Sequence, residues 1–349
     1  MILPASQIAS LILLVLGLIC WGSWANTFNA SGKKWRFELY YFDFALGAVF
    51  AALLLALTVG NLGWDGFSFK DDLLLAGKRQ DLFAFIAGVV FNLGNMLLVA
   101  AISLTGISVA FSVGVSLSLA VAAIWSMVGG TPGSLLFRIG GIAAVAISAI
   151  VASLAYQSWA KAKLIETIRT GQTKSTKKTV SMKGVLLAGA GALFLGSFYP
   201  LVQLARESEI GLGPYSLGFI FAIGVAASTF VFNLFFMNLP VAGKPVDMVE
   251  FFRAKAKSHL YGFLGGMVWY AGALTVLVVT RAEGPAHIEP ALAYVLSNGG
   301  VVLAVAWGLL WWKELSGTDT KVNYQVVLSL VFLMVGIGLF SGALAFAPK

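Results

Sequence analysis

Asn92 and Asn95 lie three residues apart inside one long apolar run, and Trp269 and Tyr270 sit side by side in the middle of another. Side-chain amides supply donors and acceptors together, and aromatic faces accept flat rings, so these types suit a small neutral ligand held without covalent chemistry. A spacing of three puts both amides on one face of a helix. In hydrocarbon such groups must face a cavity or a polar partner, and asparagines serve equally as hydrogen-bonded links between helices. Ser108, Ser112 and Ser116 recur every four residues: Ser112 and Ser116 are candidates to line a polar path, or to form a seam for close packing. Trp21, Trp24 and Asn26 close one apolar run, and Tyr199, Pro200 and Gln203 close another. Aromatics at the ends of runs read either as ligand contacts or as an interfacial belt. Asn298, with Ser297 and Tyr294, adds a further polar cluster near the middle of a run. The candidate binding set is therefore Trp269, Tyr270, Asn92, Asn95, Ser112, Ser116, Trp21, Trp24, Tyr199, Gln203 and Asn298.

Two carboxylates stand where coupling to a proton or sodium ion is expected to sit: Asp43 just inside one run and Glu289 at the mouth of another. The alternatives are a pairing of Asp43 with a nearby lysine or arginine, and a solvated or helix-capping Glu289. His259 and His287 lie at run edges, read as surface groups, and lack metal-ligand spacing. The single cysteine, Cys20, lies within an apolar run, so neither a disulfide framework nor a cysteine metal cluster is expected. With no His–Glu or Cys–His cluster in the runs, an enzyme is disfavoured. No glycine-rich loop ends in Lys-Ser or Lys-Thr, which argues against an ATP-driven pump. No cofactor is expected.

The elements that must hold these residues are membrane helices. Of 349 residues 59% are hydrophobic and only 11% charged, whereas soluble domains carry about a quarter charged residues. Apolar runs of spanning length occupy residues 6–26, 39–60, 82–103, 109–130, 137–157, 184–204, 215–239, 259–280, 290–312 and 324–346. The expected fold is all-α and polytopic, with ten transmembrane helices in a lipid bilayer.

The net charge of +8 falls in short segments between runs and sets orientation rather than binding nucleic acid. Lys33, Lys34 and Arg36 lie in the first loop. Lys161, Lys163, Arg169, Lys174, Lys177, Lys178 and Lys183 lie in the fifth, and Lys244, Arg253, Lys255 and Lys257 in the seventh. These odd-numbered loops share one side, so both termini are expected outside the cytoplasm, in the cytoplasmic (inner) membrane. In the second loop Asp65, Asp71, Asp72 and Asp81 offset the basic residues; in the sixth Glu207 and Glu209 accompany Arg206.

Phe85, Gly88, Phe91, Gly94 and Gly106 recur 178 residues on as Phe263, Gly266, Trp269, Gly272 and Gly284. A weaker match sets Gly17 and Gly22-Ser23-Trp24 beside Gly191 and Gly196-Ser197-Phe198. With five helices per half, the second copy enters the membrane from the opposite side. That gives an inverted repeat: 1–157 as the first half, 158–183 as a basic cytoplasmic linker and 184–349 as the second half. A monomer or a homodimer fits this plan.

Several segments resemble the drug/metabolite transporter superfamily, within it the branch of the L-rhamnose–proton symporter, glucose/ribose porters and ureide permeases. Gly88 to Val115 is similar to the third helix and following turn of ureide permeases and rhamnose symporters. Tyr41-Phe42-Asp43-Phe44 is similar to an aromatic-Asp-aromatic segment of the permeases. Gly265 to Tyr270 resembles the symporter's eighth helix, and Trp312-Lys313-Glu314-Leu315 the end of the superfamily's ninth. The central loop is shorter than in the permeases and lacks their Walker-like loop. The resemblance implies a ten-helix secondary carrier. The expected cargo is a small neutral polar metabolite, a sugar ahead of a ureide or nucleobase-like ring, moved by alternating access with proton coupling; an uncoupled exporter or channel is the alternative.

Overall fold

The computed structural model describes residues 1–32, 35–62, 68–170, 181–207, 211–317 and 320–346. Lys33, Lys34, Asp65, Lys174, Lys177, Lys178 and Glu209 lie outside the described residues. All regular structure among the described residues is helical, and ten helices are long and apolar enough to cross a membrane. The chain is a multi-pass membrane protein.

The first span is α1 (Gln7–Ser23) continued by α2 (Asn26–Ser31); the second is α3 (Phe37–Leu57). A short α4 (Phe69–Leu75) precedes three spans, α5 (Lys78–Thr105), α6 (Ile107–Val128) and α7 (Leu135–Arg169). Next come α8 (Lys183–Arg206) and α9 (Pro214–Asn238), then a short α10 (Met248–Phe252) before α11 (Ala256–Val279). The ninth span is broken into α12 (Pro290–Ser297) and α13 (Gly300–Ala306), ending in a π turn at Trp307–Trp311; α14 (Thr320–Ala345) is the last.

Polar side chains fix the helix ends. The Ser6 hydroxyl accepts from the Ala9 N–H, and Ser68 and Asp71 form a reciprocal capping box on α4. Glu289 accepts from the Leu292 N–H at the start of α12, where Pro290 occupies the first turn. The fifth span overruns its expected end at 157 and continues to Arg169. Beyond the apolar stretch, seven of the twelve residues 158–169 are Ala, Lys, Leu, Glu or Arg, strong helix formers, with a Lys163–Glu166 ion pair at 3.0 Å.

Two compact units emerge, each drawing on both halves of the sequence. One comprises Met1–Met96 and Ser197–Gly300, the other Leu97–Gly196 and Val301–Lys349. In the second unit α7 packs on α14 and α6. Ser116 on α6 bonds Ser148 on α7 at 3.1 Å, and Ser148 donates to the Ser329 carbonyl on α14 at 2.8 Å. Both carboxylate oxygens of Glu314 accept from the first N–H groups of α6, Ile107 and Ser108, at 2.8 Å each. Its helix terminus thus has a charged acceptor in place of water.

In the first unit α3 and α11 start at the same end and run parallel; α5 and α9 form a second parallel pair. A side chain on Gly266 would collide with the Phe44 carbonyl, and one on Gly88 with the Phe221 carbonyl. Gly47 approaches the Phe263 carbonyl as Gly224 approaches that of Phe85. These close contacts come in reciprocal sets, because Phe221 and Gly224 stand 177 residues after Phe44 and Gly47, as Phe263 and Gly266 stand 178 after Phe85 and Gly88.

Candidate functional site

The rings follow the same reciprocity. Trp269 stacks on Phe91, its partner in the 178-residue offset, with centroids 4.5 Å apart and planes 26° apart. Phe44 meets Trp269 at 5.9 Å while Phe221 meets Phe91 at 5.5 Å. Trp24 meets Phe44 at 5.2 Å while Phe198 meets Phe221 at 5.9 Å. A continuous aromatic panel therefore crosses the first unit at mid-depth.

On one side of the panel lies a cavity of about 60 Å³, room for several waters. Phe198, Phe221 and Trp269 form its inner wall, and Trp21, Tyr199 and Tyr294 flank it. Tyr199 and Tyr294 lie 4.7 Å apart, centroid to centroid. Gln203, Arg206 and Thr280 line its outer end, although the cavity surface is almost wholly apolar. Arg206 donates to the Thr280 carbonyl at 2.8 Å, where α11 ends and its last carbonyls favour a cation. Glu289 lies within electrostatic reach of Arg206 and Tyr199. Gly218 on α9 and Ala273 on α11 also line the cavity, and Gly218 makes room for the Tyr270 hydroxyl, which a side chain there would strike. Such a space accepts the face of a flat ring against the aromatics.

Four of the candidate binding residues come together here: Trp21, Tyr199, Gln203 and Trp269. The remainder are placed elsewhere. Asn92, 0% exposed, donates to Ser228 at 2.8 Å and Thr229 at 3.1 Å, joining α5 to α9. Asn95 donates to the Tyr41 hydroxyl at 2.9 Å, joining α5 to α3. Trp24 is buried against Phe44, and Tyr270 is fully buried on α11, its hydroxyl meeting no hydrogen-bond partner among the described residues. Asn298 folds back onto the Tyr294 carbonyl at 2.8 Å. Ser112 and Ser116 are buried on α6 in the other unit.

Among the described residues Asp43 pairs with a histidine rather than with a lysine or arginine. Its carboxylate meets His259 Nδ1 at 2.9 and 3.1 Å, with side chains 9% and 28% exposed. The imidazole is enclosed edge-on by Trp35 and Phe251. His259 thus belongs to a half-buried pair, where the sequence suggests a surface group. Neighbouring Arg36 is engaged by Glu38 at 2.6 Å. Outside the spans, burial pushes the Asp72 carboxyl above the ordinary aspartate range; hydrogen bonds from Ser216 and the Gly213 N–H, and the charge of Arg281, oppose that shift. Among the described residues no group of three or more His, Cys, Asp or Glu is placed to hold a metal ion.

Phe221 and Arg206, neither a candidate for it, complete the cavity together with Tyr294 of the cluster set around Asn298. Phe221 carries one signal, its place 177 residues after Phe44 in the pattern of halves. Arg206 reads in the sequence as a loop charge.

No protein-family model matches the chain. Two curated plant proteins do resemble it over nearly their whole length. Ureide permease 1 of Arabidopsis thaliana is 21% identical, the match covering 92% of this chain and 93% of that protein. Ureide permease 2 of the same plant is also 21% identical, with 96% of each covered. A solved structure, titled only as the crystal structure of a protein, superposes with a TM-score of 0.53 at 13% identity over 95% of this chain and 96% of its own. That likeness extends the fold to an experimentally determined neighbour.

Proposed function

We propose that this chain is a secondary active carrier that moves a small polar solute across the cytoplasmic membrane by alternating access. The reading rests on one observation above the others: an aromatic cavity with an amide and guanidinium at its outer end, stopped at mid-depth by stacked rings, in a ten-helix membrane protein. A pocket closed at its floor suits binding followed by rearrangement, whereas a channel needs a through-path. Reciprocal contacts, in which i meets j as j′ meets i′, are what a two-fold relation between halves generates. They support reading 1–157 and 184–349 as inverted repeats on either side of the linker.

For the solute we place a ureide-type heterocycle ahead of a sugar. Both curated relatives are named ureide permeases, and the near-flat ring walls with an amide beside them match a planar ring edged by carbonyl and N–H groups. A sugar is the second reading, since the C–H face of a pyranose also packs on an indole such as Trp269.

The driving ion in this account is the proton, and the Asp43–His259 pair is its preferred site, because Glu289 is already committed to capping α12. His259 lies ten residues before Trp269 on α11, about 15 Å along the helix. Coupling therefore passes through α3 and α11 rather than by contact with the solute. Proteoliposome uptake of radiolabelled hydantoin, a minimal cyclic ureide, and of L-rhamnose, with and without imposed proton and sodium gradients, tests the reading. Uptake indifferent to both gradients overturns coupling, and no saturable uptake of either overturns the carrier.

A further inference from the structure

Across the aromatic panel, the positions that correspond to three cavity-lining residues carry buried polar side chains. Gly218 and Ala273, which line the cavity, correspond in the offset between halves to Tyr41 on α3 and Asn95 on α5. Leu217, another lining residue, corresponds to Tyr40. Tyr41 is 0% and Asn95 2% exposed, and the Asn95 amide donates to the Tyr41 hydroxyl at 2.9 Å. Tyr40 is equally buried, its hydroxyl bonded to Thr27 at 2.7 Å. These residues sit near the start of α3, at the end of the unit opposite Thr280 and the cavity's outer end.

The chemistry of these side chains is what matters. Aliphatic side chains would pack there without needing partners, and most of this interior uses them. A phenol and an amide inside a membrane protein are satisfied only while they meet each other, and once separated each requires water or a ligand. They correspond in the offset to residues that line the cavity in the other half.

Building on the carrier reading above, we propose that Tyr41 and Asn95 form a second solute-contacting surface, a latent half-site exposed when the carrier opens toward the other face. In that state the Tyr41 hydroxyl and the Asn95 amide exchange their mutual hydrogen bond for bonds to the solute. The ligand class is a small, flat solute with adjacent donor and acceptor groups, which matches an amide edge in both polarities.

Two arms test this. In a Cys20→Ala background, Ala273→Cys and Asn95→Cys proteins are labelled with a membrane-impermeant maleimide from each face of oriented vesicles. The expected result is labelling of Ala273→Cys from one face and of Asn95→Cys from the other. Labelling of both from the same face, or of Asn95→Cys from neither, overturns the proposal. The second arm keeps the space filled while removing the polar groups. Tyr41→Phe and Asn95→Leu are expected to raise half-saturation for hydantoin about three- to tenfold on the Asn95→Cys-labelled face, with less than a twofold change on the cavity face. Unchanged half-saturation on both faces marks the pair as a mere plug and overturns the proposal. If hydantoin is not transported at all, the ureide reading fails, while the labelling arm still decides the half-site.

Discussion

Asn92 offers a test whose sign, and not only its size, follows from the structure. Its amide nitrogen donates to Ser228 and Thr229, but each of those hydroxyls also donates to its own helix, Ser228 to the Gly224 carbonyl at 2.7 Å and Thr229 to the Val225 carbonyl at 2.7 Å. Asn92→Leu therefore leaves both hydroxyls satisfied. It forfeits two interhelical hydrogen bonds, each worth about 0.6 kcal/mol in membrane proteins, so about 1 kcal/mol in all. Ser228→Ala with Thr229→Val does the reverse, stranding a buried amide N–H₂ at a cost of about 1–3 kcal/mol. Adding Asn92→Leu to that pair removes the stranded group. The triple variant is thus expected to be more stable than the double, by about 1 kcal/mol, although it carries one more substitution in the interior. Unfolding midpoints in detergent, run as a mutant cycle, measure this directly. A triple variant less stable than the double by the full effect of Asn92→Leu would mean that the three side chains act independently, refuting the assignment of Asn92 as a link between α5 and α9.

Three further outcomes are expected. Trp269→Ala removes the cavity floor and is predicted to lower hydantoin uptake at least tenfold, with Trp269→Phe retaining most of it; equal uptake in wild type and Trp269→Ala would displace the site from this cavity. Asp43→Asn is predicted to abolish gradient-driven accumulation while sparing exchange of solute against solute, and equal loss of both in a transport assay would mark a folding or binding role instead. Since burial holds the Asp72 carboxyl above its ordinary range, the folded state prefers its protonated form. That contribution is present below about pH 4 and fades as pH rises through the folded value. Asp72→Asn should accordingly remove part of the decline in stability on moving from pH 4 to pH 7, and an unchanged profile in thermal unfolding would contradict this sign.

The spans were legible because length and hydropathy alone define them: all ten expected runs coincide with helical spans, although the first continues through α2 to Ser31, the ninth is broken between α12 and α13, and helix-forming charged residues carry α7 beyond the fifth apolar stretch. The depth of Trp269 within its run and its match to Phe91 pointed to the panel at which the cavity stops. Spacing was less informative about partners. Asn92 and Asn95 share a helix face, as their separation of three requires, yet one bonds α9 and the other α3, because a helical face is wide enough to touch two neighbours. Arg206 and His259 illustrate the other gap. Each lies near the end of a span, where charge is ordinary in a sequence; only the packing of α11 shows that one lines a cavity and the other closes on Asp43.

Saturable, gradient-driven accumulation of hydantoin in proteoliposomes, compared between wild type and Trp269→Ala, tests the central claim most directly. The account predicts concentrative uptake under an inward proton gradient in the wild type and its loss in the variant. Uptake that is non-saturable, or identical in the two proteins, would contradict it.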